Sequence, residues 1–345
     1  MKTPEPSTAP LWSGSPAGRH FAEVPVTGLL SGQRLGLPLH WVRGLEDGPV
    51  LGVLAGIHGD ESFPPLALKA FLDGLEPGRL RGVVVVMPVA NPLALAAFSR
   101  FTPEHHGNPD LHTSFPGKLD GSLTQMLAAA ISRYLLQHVD ALLDIHSGGM
   151  GGRLQSRTDF DRAATGAVRD ESLRLCRAFG LPFIHANDLR GSAVGYVTSL
   201  GRPAIGVEVG GAYLGRSATG TYTRRLVEGL EGVLRALGMV AGGTEPPFPR
   251  QLLFGLEARV EVNPTTGGLL ISSFEEPQDI GRRIEAGTLL GEVLDPRTLD
   301  VTQRLLAPVD GYLFFSRYSG AVEAGSKGFA IADEANARWL EASGP

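Results

Sequence analysis

Short, nearly uninterrupted apolar runs punctuate the chain at Val50–Ala55 (VLGVLA), Val83–Met87 (VVVVM), Ala141–Ile145 (ALLDI) and Ala204–Glu208 (AIGVE). Runs of this length, rich in branched residues and closed by Gly or Asn, read as strands buried on both faces. Between them the period changes to 3.6. Leu123, Met126, Leu127, Ala130, Ile131, Tyr134 and Leu135 form one stripe behind Ser122, a good N-cap residue. Further helices are expected at 64–75, 168–179, 193–200 and 221–237, an antiparallel hairpin within 21–45, and an outer strand at Pro182–His185. Strands alternating with helices predict an α/β fold, a mostly parallel or mixed sheet with helices on both faces. In such sheets ligands bind beyond the carboxyl ends of the strands.

At 345 residues the chain exceeds one ordinary domain, and its composition supports three segments. Residues 1–20 (MKTPEPSTAPLWSGSPAGRH) are rich in Pro, Ser and Gly and read as a flexible arm, not a signal peptide. The α/β domain spans 21–240, and 238–249 (GMVAGGTEPPFP) is a linker by composition. From 250 to 335 the pattern turns to short strands and Gly turns, with a weak internal repeat. GGLLISS followed by IEAGTLLGEV is echoed by DGYLFFS followed by VEAGSKGFAI, which predicts a small quasi-symmetric β-sandwich or barrel. It looks like the biotinyl/lipoyl carrier fold without the carrier lysine between its halves, since Lys327 falls within the second half. A structural role, or a wall of the site, is therefore expected.

A net charge of −5, with Lys and Arg scattered, offers no basic stripe for nucleic acid and no polybasic membrane patch. No apolar run is long enough to span a membrane. The lone Cys176, in an apolar helix, excludes an internal disulfide and fits a reducing, cytoplasmic setting. The sequence leaves a homo-oligomer open.

The chemistry gathers at strand ends. His58 and Glu61 stand three apart in GIHGDE, just past the first buried strand, and can bind one face of a zinc ion. His146, closing the third strand in DIHSGG, offers the third ligand a catalytic zinc needs. H-x-x-E alone is a weak signal, because core histidines and helix-start carboxylates give the same pattern. Glu208 at the end of a fourth strand strengthens it, as a carboxylate able to take a proton from water and pass it to a leaving amine. Arg100, near the start of an irregular segment at 100–121, can stabilise a developing oxyanion. No G-x-S-x-G elbow, Walker loop or G-x-G-x-x-G is present.

With GIHGDE at 56–61, NPLALAAFSR at 91–100, FPGKLDGSLTQ at 115–125, DIHSGG at 144–149 and EVGG at 208–211, the chain resembles the succinylglutamate desuccinylase/aspartoacylase family of the zinc-carboxypeptidase superfamily. The FPGKLDG motif and the two-part C-terminal segment look most like the branch holding the ectoine-pathway N-acetyl-diaminobutyrate deacetylases. The resemblance implies a zinc-carboxypeptidase-like fold and one Zn2+ held by His58, Glu61 and His146. It also implies Glu208 as general acid/base and Arg100 as the residue polarising the scissile carbonyl. The family's D-L-N-R loop stands here as Asp110-Leu111-His112-Thr113, so the Arg that would grip a substrate carboxylate in a bidentate fork is replaced. Asn91, His112, Thr113 and Arg153 are the candidate substrate contacts, with Arg157 and Arg190 as other cations in reach of the site. The expected activity is a zinc-dependent amidohydrolase that deacylates a small N-acyl amino acid or related amide. A metallocarboxypeptidase, or an inactive metal-binding relative, is the alternative.

Overall fold

The computed structural model describes residues 9–105, 107–149, 151–211, 215–243 and 248–341. The first eight residues of the expected arm and residues 244–247 of the linker lie outside these. The chain enters through β1 (Gly18–Gly28), β2 (Arg34–Arg43), β3 (Glu46–Ala55), β4 (Arg81–Met87), β5 (Ala141–His146), β6 (Gly152–Leu154), β7 (Arg157–Asp161), β8 (Phe183–Asn187), β9 (Ala204–Glu208) and β10 (Arg250–Gly255). The helices are α1 (Phe63–Gly74), α2 (Pro92–Ala97), α3 (Leu123–Tyr134), α4 (Gly166–Phe179), α5 (Ala193–Ser199) and α6 (Arg216–Ala236). Four of the apolar runs form the parallel centre β4-β3-β5-β9 of a ten-stranded mixed sheet.

Alternation along those strands sorts the core into two layers. Leu51, Val53, Val84, Val86, Leu143 and Ile145 pack against α1, α4 and α6, whereas Leu54, Val83, Val85 and Leu142 pack against α3 and α5. Ser122 caps α3 as its sequence suggests, its hydroxyl accepting from Gln125 N. Cys176 is buried in α4, and burial lifts its thiol to about 12, so it is an inert core residue.

Three features depart from the expected pattern. The strand at 183–187 is not an outer one, because β7 and β10 pair with it on either side. β7 itself, Arg-Thr-Asp-Phe-Asp, reads as polar loop in the sequence, yet Thr158 to Asp161 are buried. Trp12, inside the segment expected to be a flexible arm, is 3% exposed, and its ring meets His138 edge-on at 6.2 Å.

The remaining strands are β11 (Arg259–Val262), β12 (Gly268–Ser272), β13 (Arg283–Ile284), β14 (Leu289–Leu294), β15 (Val301–Leu306), β16 (Gly311–Arg317), β17 (Gly320–Val322), β18 (Phe329–Asp333) and β19 (Arg338–Glu341). The two halves of the internal repeat become the pairs β12–β14 and β16–β18, one in each of two antiparallel sheets packed over Leu270, Leu290, Leu313 and Phe329. β19 returns to pair with β10 at the edge of the large sheet, and β6 pairs with β16. The segment that follows His146 is thereby stitched to the C-terminal strands, which stand beside the carboxyl end of the central sheet. No described helix is long and apolar enough to cross a membrane.

Candidate active site

The turn after β3 is built by its glycines. Gly56 has φ +68°, a backbone open to glycine at little cost. A Cβ on Gly59 would fall 2.0 Å from the Ala94 carbonyl oxygen, and the Gly59 N–H donates to Ser99 O at 2.8 Å. This close approach to α2 places His58 and Glu61 side by side beneath the sheet end. His146 is the last residue of β5, in register with Glu208 on β9. Four expected groups thus meet because three neighbouring parallel strands stop at one level.

The Glu61 carboxylate lies between the two imidazoles. Its Oε1 is 2.7 Å from His58 Nδ1 and its Oε2 is 3.1 Å from His146 Nδ1. The Ser147 N–H donates to the same Oε2 at 3.0 Å. The far nitrogen of each ring faces a second carboxylate: His58 Nε2 is 3.2 Å from Asp110 Oδ1, and His146 Nε2 is 3.1 Å from Asp144 Oδ2. The latter is an ion-pair approach without an aligned hydrogen bond, and neither Asp144 oxygen has a hydrogen-bond partner among the described residues. A carboxylate behind each Nε2 selects the tautomer that protonates there and leaves the Nδ1 lone pair facing Glu61. Two such nitrogens and a carboxylate, all buried, are a donor set that fits zinc.

Charge follows this arrangement. Burial pushes Glu61 up, but His58 and His146 outweigh it and hold the carboxyl well below its ordinary range. Burial pushes His146 down, yet Asp144 and Glu61 raise it well above an ordinary histidine. His58 is raised in the same way by Glu61 and Asp110 against its burial. Burial lifts Glu208 to about 6, the neighbouring Arg157 guanidinium resisting, and its buried Oε2 has no hydrogen-bond partner among the described residues. A carboxyl poised there, one strand from His146, suits proton transfer near neutral pH.

These groups line a cavity of about 100 Å³. Arg100 borders it, its Nη1 donating to Glu61 Oε1 and its Nη2 to Asp110 Oδ2, both at 3.4 Å. His112 also lines it, on a single 3-10 turn (Leu111–Thr113) capped by Asp110, whose Oδ1 accepts from the His112 N–H at 2.9 Å. Burial and the charge on His146 push the His112 ring down to about 4. Two cavities of about 520 and 460 Å³ are larger, but neither contains these carboxylates and imidazoles, so chemistry and not volume marks the site.

Three expected substrate contacts lie elsewhere. Asn91 is fully buried and caps α2, its Oδ1 accepting from Ala94 N at 3.1 Å and its Nδ2 donating to Thr102 Oγ1 at 2.8 Å. Thr113 is exposed, with its hydroxyl on the Asp110 carbonyl at 3.2 Å. Arg153 turns to the C-terminal strands, where its Nε donates to Glu275 O at 2.9 Å and its guanidinium stacks on Tyr318. Besides Arg100, the cation that reaches the cavity is Arg157, opposite Glu208 in the β7–β9 register. It donates to Asp159 Oδ1 at 2.9 Å and to Glu208 Oε1 at 3.4 Å. Sequence reasoning missed Asp110, Asp144 and Asp159 as members of the site. Asp144 carries a usable signal, since a residue two before His146 on one strand shares its face.

Comparison with known proteins identifies the family. The profile of the succinylglutamate desuccinylase/aspartoacylase catalytic domain matches residues 47–237. The chain is 29% identical over 307 residues to the N-alpha-acetyl-L-2,4-diaminobutyric acid deacetylase of Halomonas elongata, covering 83% of each chain. It superposes on the succinylglutamate desuccinylase/aspartoacylase of Rhodobacter sphaeroides with a TM-score of 0.80 at 24% identity, over 92% of this chain and 96% of that one. The product-bound ectoine utilization protein EutE (DoeB) of Ruegeria pomeroyi gives 0.82 at 21%, over 94% and 98%. The deacetylase and EutE are the kind of relatives to which the FPGKLDG motif points. With the profile matched across the whole turn-to-Glu208 span, the chain belongs to the succinylglutamate desuccinylase/aspartoacylase family of deacylases.

Proposed function

We propose that this protein is a zinc-dependent deacylase that hydrolyses the amide of a small N-acyl amino acid or a closely related N-acyl amine. One observation carries the reading. His58 and His146 each turn Nδ1 to the same carboxylate, Glu61, and Nε2 to a carboxylate of their own, with the proton-ready Glu208 on the adjoining strand.

His58, Glu61 and His146 would hold the metal. Zinc, when bound there, brings the pKa of a water to about 7 and polarises the acyl carbonyl. Glu208 accepts the water proton as the water oxygen joins the acyl carbon, and then delivers it to the amine nitrogen as the C–N bond breaks. The products are a carboxylic acid and a free amine. Arg100 donates to the carbonyl oxygen, where negative charge develops. Asp110 keeps Arg100 and His58 in register by contacting both. Neither Thr113 nor Arg153 is available to a substrate carboxylate, which leaves Arg157 as the buried cation facing it.

The test is a hydrolysis screen by mass spectrometry of the zinc-loaded protein. It would use N-acetyl and N-succinyl amino acids, N-acetylated diamino acids and short peptides, with Glu208→Gln alongside. Release of the acyl acid by the wild type alone is expected. A zinc-loaded protein silent across the acyl amino acids and diamino acids would refute the reading, and trimming of peptides from the carboxyl end would replace it with a carboxypeptidase.

A further inference from the structure

We propose that His112 is a fourth protein ligand of the metal, so that this chain offers three imidazoles and one carboxylate. The inference rests on the metal reading of His58, Glu61 and His146 and goes beyond it.

Three imidazoles converge on one point of the cavity. The ring centroids of His58 and His146 are 5.0 Å apart, those of His112 and His146 5.0 Å, and those of His58 and His112 5.7 Å. One nitrogen from each lies within 4.8 Å of the others. Zinc–nitrogen bonds of about 2.0–2.1 Å at tetrahedral angles separate donor nitrogens by roughly 3.4 Å, so closure asks for no more than about 1.4 Å between any pair.

The state of His112 points the same way. Among the described residues its buried Nδ1 has no hydrogen-bond partner, which is costly for a polar atom unless another group fills the space before it. Its position is also built, not incidental. The Asp110 Oδ1 that lies against His58 Nε2 accepts the backbone N–H of His112, so one carboxylate fixes the ring of one ligand and the main chain of the other. The neighbouring Thr113 points out to solvent, so the short 3-10 turn presents His112 alone to the cavity.

Four protein donors are the number found in closed zinc sites, whereas catalytic sites hold three and leave a position open. Were His112 to hold the metal, room for an incoming oxygen would come from adding it or from releasing this imidazole, which is carried on a single turn of 3-10 helix and not on the sheet. The expected consequence is firm metal retention combined with a ligand that can yield.

X-ray absorption on the full-length protein loaded with one zinc tests this without reference to turnover. Multiple scattering should count three imidazoles in the wild type and two in His112→Asn. Chelator competition should show zinc held at least about tenfold more weakly by the variant, the lower end of losses for groups that merely support a ligand. Two imidazoles in the wild type would overturn the inference and leave the triad of His58, Glu61 and His146 intact, even if His112→Asn fails to fold. An unchanged zinc affinity in a folded His112→Asn, with a raised KM, would make the residue a substrate contact. Failure of the wild type to bind zinc would overturn both this inference and the metal reading beneath it.

Discussion

Asp144→Asn isolates the contribution of a carboxylate that touches the site through one atom only. Asp144 is fully buried on β5, and its one ion-pair contact among the described residues is with His146 Nε2 at 3.1 Å. The substitution keeps the volume and removes the charge. With zinc bound, the carboxylate makes Nδ1 a stronger donor, and losing such support costs typically 10–100-fold in metal affinity, or about 1.4–2.8 kcal/mol. Without metal the same carboxylate favours the protonated ring, because Asp144 and Glu61 overcome burial and raise His146 well above its ordinary value. Zinc must expel that proton, so affinity falls as the pH falls. In Asp144→Asn the ring is less basic and the competing proton is held less firmly. The two effects therefore oppose each other. The variant's deficit should be largest in alkaline solution, where the ring is neutral in both proteins, and should shrink as the pH is lowered. Competition against a chromophoric chelator over a pH series measures this directly. At a fixed excess of zinc the metal-induced rise in unfolding free energy should drop by the same 1.4–2.8 kcal/mol, roughly. An affinity equal to that of the wild type at alkaline pH, or a deficit that grows on acidification, would refute the proposed orientation of His146.

Other consequences are as direct. For Glu208, raised to about 6, the base form exists above that pH, so kcat/KM should fall on the acid side with a limb at or below about pH 6, since a bound cation can only lower it further; Glu208→Gln should lose 10²–10⁴-fold, roughly, with zinc content unchanged, and a limb that persists in a residually active Gln variant would assign it to another group. Arg157→Met removes the guanidinium that holds Glu208 down, so the limb should move to higher pH, and it also takes the guanidinium from buried Asp159, which keeps His185 beside it, at a stability cost of about 3–5 kcal/mol readable by denaturant titration; an unmoved limb in the folded variant would separate Arg157 from Glu208. Gly59→Ala drives a Cβ to 2.0 Å from the Ala94 carbonyl oxygen, and should lower stability by roughly 1–3 kcal/mol and zinc affinity with it; a stable variant with full metal affinity would show the turn to be less constrained than its packing implies.

What the sequence revealed, and what it hid, divides along the range of the interactions involved. The parallel centre of the sheet was legible because VVVVM or AIGVE has no other way to bury its side chains, and strand ends follow from where apolar residues stop. His58, Glu61, His146 and Glu208 inherit that legibility: each sits at or just past such an end, and the four meet as a result. β7 was hidden for the opposite reason. Arg157-Thr158-Asp159 scores as loop because its charges are answered by Glu208, 51 residues away, and by His185 on β8. No local pattern records a partner at that distance, and a buried ion pair looks polar until both halves are in place. Arg153 misled in the converse way, a cation beside the right loop whose partner, the Glu275 carbonyl, lies in a C-terminal connection that pattern alone does not bring alongside.

The same distinction explains why the replaced loop matters more than its length suggests. Asp110-Leu111-His112-Thr113 differs from the family's loop at two positions, and read as text both are simply losses of a grip on carboxylate. In three dimensions they are not equivalent. Thr113 has left the cavity, so its change removes a contact. His112 remains within it, beside the imidazoles of His58 and His146, so its change substitutes one kind of donor for another. On the proposed reading of His112 the substrate is recognised elsewhere, and Arg157, delivered by the strand that sequence pattern could not see, is a buried cation on the cavity wall.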